Sequence, residues 1–282
     1  MKFSFNNFGK SLLVLALIAA LTLPQLSFAA QKTIPTKMPE PLKLNGKNIG
    51  SLELVNEGAK LLAAGQTQQA EAVLGEALLK NPDSPEAAYN FGLALAFNGK
   101  FYDAIQANFK ALELKQQFAE AHLALGNLFL TMGDLEQALN AFDHATHLSP
   151  GPFITRAALF NKAVALGRLK RFAEAELAFS ECLAATPDDQ SIPFQLAEMN
   201  LRQGKPESAL KWLDTMNEEY LVESNLMRAK AYIALKDSKK AKQALATSKK
   251  LLVNDVELKT DKDLNRIIGD IEKEIENIAK ND

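Results

Sequence analysis

The chain has 282 residues, 47% hydrophobic and 23% charged, a globular composition that excludes a disordered polymer. A formal charge of -2 leaves no basic domain of the kind a nucleic-acid binder needs, so no nucleic-acid partner is expected. The single cysteine, Cys182, excludes an intramolecular disulfide. Ala and Leu dominate the middle of the chain, and helix formers on that scale predict an all-α protein.

The first element lies at the N-terminus. Met1 to Lys10 carries two lysines and no acid, Leu12 to Leu23 is a nearly unbroken apolar run, and Pro24 and Gln25 end it. Ser27 and Ala29 are the small residues expected around a cleavage site, so residues 1–29 read as a secretory signal peptide cut after Ala29. The apolar run is shorter than the roughly 20 residues of a spanning helix. An uncleaved signal anchor is the rival reading, and the only route by which a membrane contact is expected. Cleavage makes the protein periplasmic or secreted. Residues 30–50 hold Pro35, Pro39 and Pro41 and read as an extended linker, or as a leader packed loosely on the first repeat.

From Ser51 the sequence repeats. Gly58, Gly92, Gly126, Ala163, Ala197 and Ala229 recur at spacings of 34, 34, 37, 34 and 32 residues. A second ladder runs twelve residues later, through Ala70, Ala104, Ala138, Ala175, Ala209 and Ala241. Small residues on both helices of a hairpin let the backbones approach. Gly65, Gly99, Gly133 and Gly204 fall between the ladders, where a left-handed residue ends a helix. Pro82, Pro150 and Pro187 come after the second helices, which must stop there.

These features resemble the tetratricopeptide-repeat (TPR) family. Ala88, Tyr89, Gly92, Leu93, Gly99, Phe101, Ala104 and Ala111 carry the resemblance in one unit. Ala121, Leu125, Gly126, Gly133, Leu135, Ala138, Phe142, Ala145 and Pro150 carry it in the next. Ala163, Leu166, Phe172, Ala175, Phe179 and Pro187 carry it in a third. The unit starting at Ser51 fits fairly and the last two less well. The family tryptophan is absent, with His122 in its place in one unit, and Glu57, Lys162 and Arg228 replace apolar residues. The resemblance covers Ser51 to Leu252 and implies an α-solenoid of about five to six TPR helical hairpins. Three extra residues around Ser149-Pro150-Gly151-Pro152 predict a longer elbow before the fourth hairpin.

The last element begins at Thr260, an N-cap with Asp263 three residues on. Leu264, Ile268, Ile271, Ile275 and Ile278 then alternate by four and three. They read as a capping helix over the last repeat, or as a short coiled-coil seam for a homo-oligomer. The expected division is a signal peptide (1–29), a linker (30–50), a solenoid (51–254) and a C-terminal capping or oligomerisation helix (255–282).

No phosphate loop, nucleophile elbow or paired-cysteine spacing is present, so the chain reads as a non-enzyme with no cofactor and no metal. His144 and His147 could share a metal beside Asp143, but a zinc site wants three or four ligands and they read as solvated imidazoles. Cys182 stands where Ala77, Ala111 and Ala145 stand in earlier units, a packed small residue rather than a reactive thiol. Lysines 236, 239, 240, 242, 249 and 250 form a basic cluster: a solvated face, or a surface for an acidic partner or lipid headgroup.

The resemblance also implies a working surface. In TPR proteins the first helix of each hairpin lines a concave groove. The matching positions here are Tyr89, Leu93, Phe97, Leu123, Asn127, Phe160, Val164, Arg168, Phe194, Glu198, Arg202 and Lys230, with Leu130 and Leu226 beside them. Aromatic and Arg residues are the usual anchors of interfaces, although several of these could equally be inter-repeat core. The expected function is an exported scaffold that binds a protein or peptide segment in that groove, in bacterial envelope assembly or secretion. A structural homo-oligomer built through the C-terminal helix is the alternative.

Overall fold

The computed structural model describes residues 50–148, 151–189, 191–216, 221–252 and 262–280. The expected signal peptide, most of the linker, the Thr260 cap and Ser149-Pro150 lie outside the described residues. The described residues hold thirteen helices and no strand. Twelve pair into six hairpins: α1 (Ser51–Ala63) with α2 (Thr67–Lys80), α3 (Pro85–Phe97) with α4 (Phe101–Leu114), α5 (Ala119–Met132) with α6 (Leu135–His147), α7 (Pro152–Arg168) with α8 (Phe172–Ala185), α9 (Ser191–Arg202) with α10 (Pro206–Leu213), and α11 (Leu221–Ala234) with α12 (Ser238–Leu252). The thirteenth, α13, is Lys262–Ala279. The chain divides into two compact units between Asp189 and Ser191. The first holds four hairpins; the second holds two hairpins and α13.

One contact explains the small-residue ladder. A Cβ on Gly58 would run into the Leu74 side chain, one on Gly92 into Asn108, and one on Gly126 into the Phe142 ring, each closer than real side chains approach. The blocking residue is always sixteen positions on, and Leu74, Asn108 and Phe142 are fully buried. Ala163, Ala197 and Ala229 face the same offset at Phe179, Leu213 and Leu245, all buried. A large side chain of the second helix thus lies over a bare stretch of the first, and burial of that side chain holds the hairpin shut.

The turn inside each hairpin is as regular. Gly65, Gly99, Gly133 and Gly204 have φ between +71° and +83°. The two hairpins without a glycine use Lys170 at φ 61° and Lys236 at φ 60°. In all six the next residue donates its N–H to the carbonyl five back, at 2.9 Å, as in Gln66 to Leu61 and Arg171 to Leu166. This closes the orphan carbonyls of the first helix. A side chain in the left-handed region is strained, so the lysines occupy a position that glycine would fill at lower cost.

The three extra residues do not lengthen the elbow. Residues 148–151 join α6 to α7, as 115–118 join α4 to α5. Instead α7 has 17 residues and starts at Pro152, which stands at its first turn with the φ a helix start requires. The extra turn carries Phe153, 77% exposed.

The cationic replacements on the first helices are satisfied by the preceding second helix. Lys162 Nζ lies 2.6 Å from Asp143 Oδ1 on α6. The Arg228 guanidinium donates to the Leu213 carbonyl at the end of α10, at 2.7 Å, and pairs with Asp214. Cys182 is fully buried, its Sγ 3.5 Å from the Arg156 carbonyl, and burial pushes the thiol above its ordinary range.

α13 lies against the last hairpin. Leu264, Ile268, Ile271 and Ile275 are buried with Val222, Leu226, Ala244, Leu245 and Leu252. Four of the five residues of the four-three alternation thus pack against the last hairpin, with Ile278 half-buried.

Two substitutions test this packing by denaturant unfolding. Gly126→Ala is expected to destabilise by about 1–3 kcal/mol, because the ring it strikes is fully buried. Lys170→Gly is expected to stabilise by about 0.5–1 kcal/mol through relief of the left-handed strain, offset in part by unfolded-chain entropy.

Candidate partner-binding face

Within each unit the first helices touch in order: α1 with α3, α3 with α5, α5 with α7, and separately α9 with α11. Their outward sides thus form a continuous face in each unit. The sequence-derived residues divide on it into three groups.

Phe97, Asn127, Arg168 and Arg202 are exposed. Tyr89, Leu93, Phe160, Val164, Glu198 and Lys230 are half-buried. Leu123 and Phe194 are buried and offer nothing to a partner. Leu123 packs with Ala138, Phe142 and Ala158, and Phe194 packs with Ala197, Leu213 and Met227. The position three before the small residue points partly at the neighbouring hairpin, and there the core takes it. Of the two flanking leucines, Leu226 is buried and Leu130 half-buried.

The half-buried aromatics also serve packing. Tyr89 meets Phe118 with ring centroids 5.2 Å apart, and Lys115 Nζ sits 4.4 Å from the Phe118 ring. Burial and the nearby Glu120 raise the Tyr89 hydroxyl above its ordinary range, so it stays a neutral donor. Phe160 meets Phe179 edge-on at 5.4 Å, with Arg156 over its face at 5.7 Å.

The exposed part of the first unit's face is more polar than the sequence reading implied. Asn161 Nδ2 donates to Asn127 Oδ1 at 2.7 Å, linking α7 to α5. Arg168 donates to the Leu130 carbonyl at 3.1 Å, near the C-terminus of α5 where a cation is favoured. Asn161 was not among the residues read from sequence, since the two ladder positions used do not include it. Phe97 stands apart at 68% exposed, beside a cleft of about 560 Å³ lined by Thr67, Glu71, Asn98 and Lys100. That cleft has a fixed wall. Buried Glu71 accepts from Asn98 Nδ2 at 2.7 Å and from Lys100 Nζ at 2.6 Å, and Thr67 Oγ1 donates to Asn98 Oδ1 at 2.6 Å. Hydrogen bonding of the charge at this depth satisfies both partners and pins the base of Phe97.

One cluster was paired differently by the sequence. His144 stacks on His122 of α5, centroids 5.0 Å apart, while His147 Nδ1 lies 2.7 Å from the Asp143 carbonyl. Among the described residues no three His, Cys, Asp or Glu side chains converge as metal ligands.

Tetratricopeptide-repeat models match residues 56–119, 123–190, 160–219 and 222–251, well over half of the chain. The chain belongs to the tetratricopeptide-repeat family. Proteins of this family bind other proteins and are generally not enzymes. Among curated proteins it is similar to DnaJ homolog subfamily C member 3. Identity is 34% over 93 residues in Bos taurus, 33% of this chain and 18% of that one. It is 27% over 165 residues in Gallus gallus, 54% and 33% of the two chains. The TPR chain thus spans about a fifth to a third of these relatives' length. Among solved structures it is similar to PilW, a widely conserved type IV pilus biogenesis factor, at 19% identity and TM-score 0.63, over 77% of this chain and 98% of that one. Pseudomonas aeruginosa pilF gives 18% and 0.60, over 71% and 91%. MamA of Desulfovibrio magneticus RS-1 gives 20% and 0.53, over 58% and 91%. At these identities the likeness is one of fold. No described helix is long and apolar enough to cross a membrane.

The histidine pair gives a pH test. Burial first, and the His144 ring second, hold His122 below the ordinary histidine range, against a hydrogen bond to the Gln116 carbonyl that raises it. The unfolded chain then takes up the proton at the higher pH. Stability is fully present above the ordinary pKa of about 6.5 and is lost as pH falls through the folded value. The unfolding midpoint should drop between pH 7 and pH 5, with a shallower pH slope in His122→Gln.

Proposed function

We propose that this TPR protein is an exported scaffold that holds a segment of a partner protein against the outward face of its first helices. The observation that carries this reading is Phe97 on the first helix α3: a large aromatic ring, 68% exposed, at the rim of a cleft between the end of α3 and the second helix α2, its wall fixed by Glu71, Asn98 and Lys100. An exposed ring with immobilised surroundings binds at small entropic cost, and aromatic and Arg side chains dominate binding energy at interfaces. Asn127, Asn161 and Arg168 supply polar contacts further along the same unit, held in place by their mutual and backbone hydrogen bonds. Such a face suits an extended or helical segment with an apolar anchor and a carbonyl- or carboxylate-bearing flank.

The N-terminal pattern of Lys2, Lys10 and the Leu12–Leu23 run supports export. The fold likeness to PilW, a type IV pilus biogenesis factor, supports a role in assembly of a surface structure of that kind. Binding is the whole of the proposed activity.

The test is capture of proteins from an envelope extract by the chain starting at Ala30. Phe97→Ala with Arg168→Ala is expected to weaken capture of a specific partner by about thirtyfold or more. Leu177→Ala, on the exposed side of the second helix α8, is expected to leave it intact. Capture that survives the paired substitution sinks the assignment of this face. Phe194 is unsuitable for the purpose, since its loss would open a core cavity.

A further inference from the structure

The second unit carries a charge asymmetry that the binding face does not use. From Gln190 to Asp282 basic and acidic residues are equal in number, sixteen each, so any one-sided field comes from placement. Helix α12 (Ser238–Leu252) holds five lysines and no acid. Its buried residues are Ala241, Ala244, Leu245, Ser248 and Leu252. Lys239, Lys242, Lys249 and Lys250 project from the opposite side, at the spacing of one helical face. Lys236, in the turn before the helix, and Lys240 flank that stripe, and all six are exposed.

Two of the six are engaged. Lys240 pairs with Asp237 at 3.2 Å, and Lys249 pairs with Glu272 of α13. Lys236, Lys239, Lys242 and Lys250 have no carboxylate within ion-pair distance among the described residues. The uncharged side chains exposed between them, Gln243, Ala246 and Thr247, reach less far than a lysine. The stripe is therefore low and runs for about 20 Å, at 1.5 Å per residue.

We propose that this stripe seats the second unit on a membrane surface bearing anionic phospholipid headgroups. The residue types choose this occupant. Protein interfaces favour Tyr, Trp and Arg and are depleted in Lys, and the stripe contains no aromatic and no Arg. Lysine is a compact point charge on a flexible stem, suited to many interchangeable phosphates rather than to one bidentate site. No large apolar side chain projects from the stripe to insert between lipids. The contact is thus electrostatic, reversible and screened by salt.

The test is co-sedimentation with vesicles of phosphatidylcholine alone or with about 30% phosphatidylglycerol added, a surface charge of the kind that attracts basic segments. It uses the chain from Ala30, which keeps every described residue and lacks the apolar run. Binding is expected to the anionic vesicles only and to vanish in about 0.5 M salt. Each neutralised lysine should weaken it about fivefold. Replacing Lys236, Lys239, Lys242 and Lys250 together by Gln should therefore weaken it by more than about a hundredfold. A control replaces Lys60, Lys80, Lys110 and Lys211 by Gln, with the same change of net charge, and should retain most of the binding. Equal loss in both variants would reduce the effect to net charge and overturn the proposal. So would binding of the stripe to an acidic peptide or duplex DNA while anionic vesicles are ignored. Circular dichroism of both variants separates a lost contact from a lost fold.

Discussion

Every hairpin of this protein depends on one helix having almost nothing where the other has most. The pairing of Gly58 with Leu74, Gly92 with Asn108 and Gly126 with Phe142 brings two backbones within reach of a single intervening side chain. From that spacing come the buried alanines of the second helix and the room for the next hairpin. The later hairpins use alanine and relax the contact by one methyl group, with Phe179, Leu213 and Leu245 still buried over it. Loss of this complementarity would leave helices without a register, since each hairpin is too small to hold a core alone.

Much of this was legible in the sequence, because small residues at a fixed period have few other causes. The ladder located all six hairpins, including the two with the weaker family pattern. What stayed hidden has specific physical origins. Lys170 and Lys236 fill the left-handed turn position, so a search for glycine misses two of six turns. The three extra residues were absorbed as a helical turn of α7, because Pro152 starts a helix as readily as it ends one. Position three before the ladder residue is half-buried at Tyr89 and Phe160 but buried at Leu123 and Phe194, which pack with residues of other helices that no single position reports. The Glu71–Asn98–Lys100 cluster joins two hairpins across about thirty residues of chain and carries no local signature.

Polar residues inside the repeat tell two stories. Lys162 and Arg228 stand at apolar positions yet meet a carboxylate or a helix-end carbonyl of the preceding hairpin, so each acts as a directional tie between neighbours. Asn108 has no such outlet. Its amide donates to the Ala104 carbonyl at 2.8 Å while its own oxygen is buried without a partner. Leu74 and Phe142 occupy the equivalent site in the flanking hairpins, so the second hairpin gives up apolar contact that its neighbours keep.

The covering of the last hairpin by α13 fixes more than its own stability. A stack of like hairpins is an open polymer in miniature: any bare end is a template for another unit, whether from the same chain or from a second copy. By filling the apolar surface of Val222, Leu245 and Leu252 with Ile268, Ile271 and Ile275, and turning amides and charged side chains of both signs outward, α13 makes the C-terminal end chemically unlike the interior of the stack. Growth stops there. That end presents a polar helix surface in place of the bare apolar side chains of a hairpin.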